Sequence, residues 1–312
     1  MNNYDVVIIG GGAAGLSAAL VLARARRQVL VVDSGAPRNA PAGHMQGFLS
    51  RDGMPPAELL TAGREEVRGY GGTITAGAVE DLVRCGQGEF QVLLDDGERV
   101  SARRLLVATG LGDELPDIPG LQQRWARDVL HCPYCHGWEV RDQPLGVVWN
   151  GPETVRYVQI VRQWTHDVVL FAPTDTLTPT QHGQLVARDI GVVEEAIARV
   201  LVEDDRLTGV QLAEGRVVPR TALFVPPRLV PNSDLLIGLE CQIDEHGWVV
   251  TGANGATSVA GVWVAGNVAN PRAQVITAAG EGSAAAIAIN ADLVDEDVRD
   301  AVADYNQHGF LP

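Results

Sequence analysis

Residues 5–15 read DVVIIGGGAAG, and this stretch decides the fold. A short apolar run, Val6 to Ile9, has the length and β-branched content of a buried strand. It breaks into glycines and then into Leu16 to Ala25, an alanine-rich segment that predicts a helix. The next apolar run, Val29 to Val32, ends at Asp33. Together they form a βαβ unit with G-x-G-x-x-G at Gly10, Gly12 and Gly15, and Ala13 and Ala14 between the last two. Gly10 permits the tight turn, Gly12 lets the backbone approach a pyrophosphate, and Gly15 lets helix and strand pack closely. The helix start offers unpaired N–H groups and the positive end of its dipole to phosphates. Asp33 lies 18 residues beyond Gly15, where a carboxylate can accept hydrogen bonds from a ribose. Glycines alone would be met by any tight strand–helix turn; with strand, helix and acid in place they predict a dinucleotide site.

Working outward, Phe90 to Val100 reads as a hairpin around Asp95-Asp96-Gly97. It feeds a strand, Arg104 to Ala108, that closes on Thr109-Gly110. Leu111 to Leu121, with Pro116 and Pro119, reads as a linker. A second α/β pattern follows: strand Leu145 to Trp149, helix Thr154 to Trp164, strand Asp167 to Phe171. Pro226, Pro227 and Pro231 mark another irregular passage. After it come a strand from Val262 to Ala265, the pair Gly266-Asn267, and a small-residue helix from about Gln274 to Asn290. The tail YNQHGFLP, Tyr305 to Pro312, reads as a frayed terminus that carries aromatics. The fold class is α/β, with two Rossmann-like patterns as a weak internal duplication.

With 312 residues the chain has room for two domains at about 150 residues each. All 24 basic residues are arginine against 39 acidic ones, a formal charge of −15. Without lysine there is neither a Schiff-base amine nor a Walker P-loop. An acidic surface repels phosphate, which argues against nucleic acid as a partner. No apolar run has the length of a membrane span or a secretory core, so a cytoplasmic address and no membrane association are expected.

Four cysteines make no disulfide scaffold. Cys85 and Cys241 are isolated and read as packed small apolar side chains. Cys132 and Cys135, within HCPYCHG, have the two-residue spacing of redox or metal chemistry. Pro133 suits an early helical position, where a missing N–H costs nothing. A cysteine there feels the helix dipole, which favours the nucleophilic thiolate. Three other readings share these letters. Cys132, Cys135 and His136 spell the c-type haem attachment pattern, which requires export. Zinc would need four ligands, and beyond His131 or His136 no second ligand pair is evident, so no metal is expected. The third is a pair of inert buried thiols.

The glycine loop at 10–15, ATG at 108–110, CPYC at 132–135 and VAGNVANPRAQVITAAGEG at 264–282 stand in the order of one family. On these motifs the chain resembles the low-molecular-weight thioredoxin reductase family of flavoproteins, nearly end to end. The resemblance implies two Rossmann-like, three-layer ββα domains. Residues 1–112 and 243–312 would bind FAD, and a smaller NADPH-domain-like module, 113–242, would carry the redox cysteines. Homodimers are the family's usual state. It implies FAD contacts from Gly10, Gly12, Ala13, Ala14, Gly15, Asp33, Arg38, Thr109 and Gly110. It adds Gly266, Asn267, Gln274 and Val275, with asparagine where the family has a ribityl-binding aspartate. Asparagine keeps one acceptor and adds a donor.

The resemblance also implies Cys132 as the exchange thiol, Cys135 as the thiol facing the flavin, and His136 as the proton carrier where relatives have an acid. The family's second glycine loop, which takes NADPH, corresponds to LGVVWNGPETV, with Trp149, Gly151 and Thr154 in place of G-x-G-x-x-A. An indole at the tight-turn glycine obstructs a pyrophosphate, and Pro152 removes one N–H donor. No basic residue occurs from Phe171 through Gln181, where the family places arginines for the 2′-phosphate. These features are similar to the subgroup of gliotoxin- and holomycin-forming dithiol oxidases. The expectation is an FAD-dependent thiol oxidase that forms a disulfide in a small-molecule or peptide dithiol and yields hydrogen peroxide from oxygen. A thioredoxin reductase using NADPH or a protein donor such as ferredoxin, with a thioredoxin-like protein as partner, and a non-enzymatic flavin redox sensor are the alternatives.

Overall fold

The computed structural model describes residues 2–308. In chain order, β1 (Asn2–Ile9), α1 (Ala13–Arg24), β2 (Val29–Asp33), α2 (Pro56–Gly69) and β3 (Thr73–Ala76) begin the first of two compact units. β4 (Val79–Arg84), β5 (Phe90–Leu94) and β6 (Arg99–Val107) follow. β7 (Leu111–Glu114) leads to the second unit, which holds β8 (Val129–Leu130), α3 (Pro133–His136), β9 (Leu145–Val148), α4 (Thr154–Val161) and β10 (Val168–Phe171). It continues with α5 (Pro179–Val186), β11 (Gly191–Val193), β12 (Ile197–Glu203), β13 (Arg206–Leu212), β14 (Val217–Pro219) and β15 (Ala222–Phe224). β16 (Arg228–Pro231) leads back, and α6 (Asp234–Gly238), β17 (Val262–Val264) and α7 (Val275–His308) complete the first unit.

The first unit comprises Met1–Ala40, Met54–Gly112 and Val230–Pro312. Its parallel strands run β3-β2-β1-β6, with β17 on the far half of β6 and the antiparallel β5 and β4 on the near half. Alternation along the strands assigns the two faces. Val6, Ile8, Val29 and Val31 pack with α1 and α7, whereas Val7, Ile9, Leu30 and Val32 pack with the β4–β5 side. The result is a three-layer ββα arrangement. The switch in strand order lies between β1 and β6, where open α/β sheets place their ligands.

The second unit comprises Pro41–Gly53 and Asp113–Leu229. Its parallel sheet runs β11-β10-β9-β15-β8, and a separate antiparallel sheet holds β12-β13-β14. Leu145, Val147 and Leu170 pack toward α4 and α5, whereas Val148, Phe171 and Leu223 pack toward β12 to β14. This is the same layer plan repeated on different residues.

Three sequence expectations shift. The return to the first unit falls at Leu229/Val230, not at 242/243, because Asn232 is already hydrogen-bonded there. Its N–H donates to the Gly110 carbonyl at 3.0 Å, its Nδ2 to the Thr109 carbonyl at 2.9 Å, and Thr109 Oγ1 donates to its carbonyl at 2.7 Å. Leu236, Leu239 and Cys241 then enter the first unit's core. Part of the expected linker is strand, since β7 pairs with β16. The last helix runs 34 residues, to His308. Its polar second half is tied to the sheet by Arg104, whose Nε and Nη2 donate to Asp292 and Glu296 at 2.5 Å each, and by Arg103, which bonds Glu296 and Asp297. Tyr305 to His308 therefore belong to α7, and the remainder of the tail lies outside the described residues. No helix among the described residues is long and apolar enough to cross a membrane.

Candidate active site

In the first unit the glycine loop leaves β1 through Gly10, at φ +105°. A methyl at Gly15 would collide with the Gly10 carbonyl oxygen, so a glycine is needed where α1 crosses the turn. A Cβ at Gly12, by contrast, would meet nothing within 4 Å: this side of the loop is open. Gly12 is also the N-cap of α1, with no side-chain cap and no acid in the first turn, which leaves that helix end to an anion. Ala13 and Ala14 begin the helix.

Asp33 ends β2, and its carboxylate accepts from Arg64 Nη2 at 2.9 Å and from the Gly35 N–H at 3.2 Å. Burial pushes the Asp33 carboxyl up, but the bonds from Arg64, Gly35 and Gly11 outweigh it and hold the group below its ordinary value. It stays an anionic acceptor. Arg38 lies half-buried in the loop after β2.

A second loop meets the first. Gly266, at φ +78°, sits against α1: a Cβ there would lie 3.0 Å from that of Ala14. Asn267 donates through Nδ2 to the carbonyls of Asn270 and Ala273, at 3.0 Å each, which fixes the amide and leaves Oδ1 as its acceptor. Gln274 supplies the carbonyl for the first turn of α7, accepting from the Ala278 N–H at 2.8 Å, and Val275 begins the helix. Thr109 and Gly110, by contrast, are engaged by Asn232.

Three residues not singled out in the sequence build this site. Arg64 orients Asp33. Glu281 accepts from the Gly266 N–H at 2.9 Å and from Asn270 Nδ2 at 2.6 Å, tying α7 to the 266–270 loop. A methyl at Gly282 would run into the Ala14 carbonyl, so α7 passes α1 with no side chain between them. The GEG spacing at 280–282 is the one signal that could have pointed to this crossing. An open loop, a bare helix end, an acidic acceptor and a fixed amide acceptor fit a dinucleotide.

In the second unit Cys132 and Cys135 are joined in a disulfide. Cys132 caps α3, a single turn with Pro133 at its first position, and the Cys135 N–H points at Cys132 Sγ at 3.2 Å. When the bridge is reduced, that N–H and the turn's dipole favour thiolate at Cys132. Gly137 follows because a Cβ there would lie 2.7 Å from the Trp164 indole. The His131 carbonyl accepts from the buried Tyr157 hydroxyl at 2.5 Å, and its ring stacks on Trp125 at 5.5 Å. The His136 ring stands 6.3 Å from that of His131. Burial lowers the pKa of His136 below its ordinary 6.5, with the charge of Glu139 opposing, so the imidazole is a neutral base near neutral pH. Among the described residues no three His, Cys, Asp or Glu side chains group to hold a metal ion. Cys241 is buried and its thiol is pushed up by that burial, against a bond to Thr257.

The loop after β9 is built differently from the first. Trp149 continues the ladder, its N–H donating to the Phe171 carbonyl at 2.9 Å, and its indole packs on the unit's core. Asn150 Nδ2 donates to the Pro226 carbonyl at 2.8 Å, and the Asn150 N–H donates to the buried Thr154 hydroxyl at 3.1 Å.

Comparison with known proteins places these features. The profile of the family "Pyridine nucleotide-disulphide oxidoreductase" matches residues 4–282. The crystal structure of HlmI is 56% identical, covers 98% of this chain and 97% of its own, and superposes with a TM-score of 0.96. Thioredoxin reductase sirT of Leptosphaeria maculans is 30% identical over 95% of this chain and 96% of its own length. A thioredoxin reductase of Listeria innocua is 25% identical over 96% of both. The chain belongs to the pyridine nucleotide-disulphide oxidoreductase family, as a thioredoxin reductase-like oxidoreductase.

Proposed function

We propose that the protein is an FAD-dependent dithiol oxidase acting through Cys132 and Cys135. The observation that carries this reading is the loop after β9. Asn150 is bonded to Pro226 and Thr154, Trp149 stands at the tight-turn position, and no cation lies from Phe171 through Gln181. A pyridine nucleotide needs backbone N–H groups and counter-charge; Gly151 is open, but the Asn150 N–H is taken by Thr154, Pro152 has none, and the following strand end brings no cation. Electrons then enter from thiols.

His136 takes the proton of one substrate thiol, and the resulting thiolate attacks Cys132 Sγ, releasing the Cys135 thiolate. The second substrate thiol, deprotonated in turn, displaces Cys132. The substrate leaves as a disulfide; its two electrons and two protons remain with the reduced cysteine pair. The first unit supplies the ADP-binding parts: Gly10, Gly12, Ala13, Ala14 and Gly15 for the pyrophosphate, and Asp33 for the ribose. Arg38 lies nearby, and Asn267, Gln274 and Val275 serve the remainder. FAD held by these residues would supply a two-electron acceptor for the reduced cysteine pair, with dioxygen as the final oxidant and hydrogen peroxide as the product. We place this activity in a cytoplasmic homodimer.

The test is oxygen uptake with dithiothreitol by holoprotein. One hydrogen peroxide per dithiol consumed, lost in Cys132→Ser, is the expected result. Uptake equal in wild type and Cys132→Ser would refute the oxidase and leave a flavin redox sensor. Turnover only with a thioredoxin-like protein and NADPH would make the protein a reductase.

A further inference from the structure

Helix α4 and the turn after it carry two aromatic residues where the equivalent positions of the first unit hold alanine. Counted from the strand–helix turn, Tyr157 and Trp164 correspond to Ala18 and Ala25. The chain stays coiled past Val161: the Arg162 N–H donates to the Val158 carbonyl and the Trp164 N–H to the Val161 carbonyl, at 3.0 Å each. Seven residues make two turns, so the two side chains lie on one face, about 10 Å apart along the axis. Both meet the segment that holds the disulfide.

Tyr157 secures the start of that segment. Its hydroxyl donates to the His131 carbonyl, one residue before Cys132, at 2.5 Å. Its ring stands 6.5 Å from that of Phe224, a fully buried core residue. Burial pushes the pKa of the hydroxyl well up, so it stays a protonated donor. Trp164 secures the end. Its indole fills the space beside Gly137, two residues after Cys135, where a Cβ would come within 2.7 Å of it. The Tyr134 ring, from between the cysteines, meets the indole edge-on with centroids 5.7 Å apart. The Trp164 carbonyl accepts from the Asp142 N–H at 2.8 Å, which ties down the chain beyond. Between these points the Cα atoms of Cys132 and Cys135 lie 5.2 Å apart, inside the range that a disulfide spans.

We infer that Tyr157 and Trp164 are positioning residues that clamp both ends of the disulfide turn, so that the two sulfurs stay within bonding reach after the bridge opens. The inference rests on the dithiol-oxidase reading and adds to it the residues that govern reclosure of the cysteine pair. An oxidised pair is held by its own covalent bond, with or without the clamp. A reduced pair has no such bond, and a fixed backbone denies it the conformations in which the sulfurs separate. The conformational entropy that closing a disulfide removes is then already gone, which favours the oxidised state.

The test equilibrates holoprotein anaerobically with glutathione buffers. Two glutathione thiols give two electrons and two protons to the bridge, leaving the Cys132–Cys135 dithiol and glutathione disulfide. Acid trapping and alkylation, read by mass, give the oxidised fraction of the pair. Tyr157→Phe keeps the ring and removes one hydrogen bond; the equilibrium should move about threefold toward the dithiol. Trp164→Phe should move it the same way by about twofold, since a smaller ring covers less of Gly137. Thr165→Val controls for a merely structural loss. It removes the bond from Thr165 Oγ1 to the Gln143 carbonyl, at 2.7 Å, and should leave the equilibrium where wild type has it. An unchanged equilibrium in either aromatic variant, or an equal shift in Thr165→Val, overturns the clamp. In turnover with dithiothreitol, Tyr157→Phe should lower kcat about threefold at constant KM. A change in KM alone contradicts the clamp. Both equilibrium shifts, with no oxidation of dithiothreitol by wild type, sink the oxidase reading and leave the clamp standing.

Discussion

The molecule carries two strand–loop–helix turns of the same descent in shape and opposite chemistry. At Gly10 to Gly15 the backbone is bare: Gly12 faces open space, the helix end has no side-chain cap, and Asp33 is held anionic by Arg64. At Trp149 to Thr154 the glycine, Gly151, is also open and α4 also lacks a side-chain cap, but an indole takes the tight-turn position and Pro152 has no N–H. The Asn150 N–H is bonded to the Thr154 hydroxyl, the Asn150 side chain to Pro226, and the half-buried indole packs against the core. The two turns differ in the tight-turn residue, in the engaged Asn150 N–H and in nearby charge. Topology alone does not confer the function.

The sharpest way to separate the two units is to remove the electron exit from one and leave the other whole. Cys135→Ser should cut dithiol turnover by about 10³-fold or more while the protein still purifies with FAD bound. Loss of the flavin in this variant would mean that the disulfide turn and the glycine loop are not independent. Next in size is His136→Ala, for which a fall of about 10²-fold in kcat/KM is expected from loss of the proton carrier. Because burial lowers its pKa, the wild-type acid limb should lie below pH 6.5 and should be missing in the variant. The same depression means that the unfolded chain binds this proton more readily than the folded one. His136 therefore favours folding above pH 6.5, and this contribution fades as pH falls through the lower folded value.

Smaller effects compare the loops directly. Gly15→Ala forces a backbone shift costing about 1–3 kcal/mol at the open loop, and FAD affinity measured by fluorescence should drop tenfold or more. Thr154→Ala removes the acceptor of the Asn150 N–H in the loop after β9. It should lower unfolding stability by about 1 kcal/mol and leave flavin content unchanged. If Thr154→Ala instead released flavin, the division of labour between the loops would fall.

Much of this comparison is visible in the sequence because it is local. Gly10, Gly12, Gly15 and Asp33 are read from spacing along one βαβ unit, and Trp149 is conspicuous because it stands where a glycine is expected. Cys132 and Cys135 are legible for the same reason. What escapes is tertiary. Arg64 meets Asp33 from α2, 31 residues on, with no motif around it. Glu281 and Gly282 act through residues on other elements, Gly266 and Ala14. The second half of α7 has the composition of a solvated surface; Arg103 and Arg104, nearly 200 residues earlier, hold it in place. The return crossing at Leu229/Val230 is not marked in the sequence, because the bonds of Asn232 to Thr109 and Gly110 leave no trace in local composition.

The most direct measurement is anaerobic stopped-flow of the holoprotein, mixed separately with NADPH and with a dithiol while flavin absorbance is followed. The dithiol should bleach the flavin within catalytic turnover times, and NADPH should leave it oxidised. Rapid bleaching by NADPH would contradict the dithiol-oxidase reading, because a nucleotide would then be using a loop with Trp149 at the tight turn and no cation beside it.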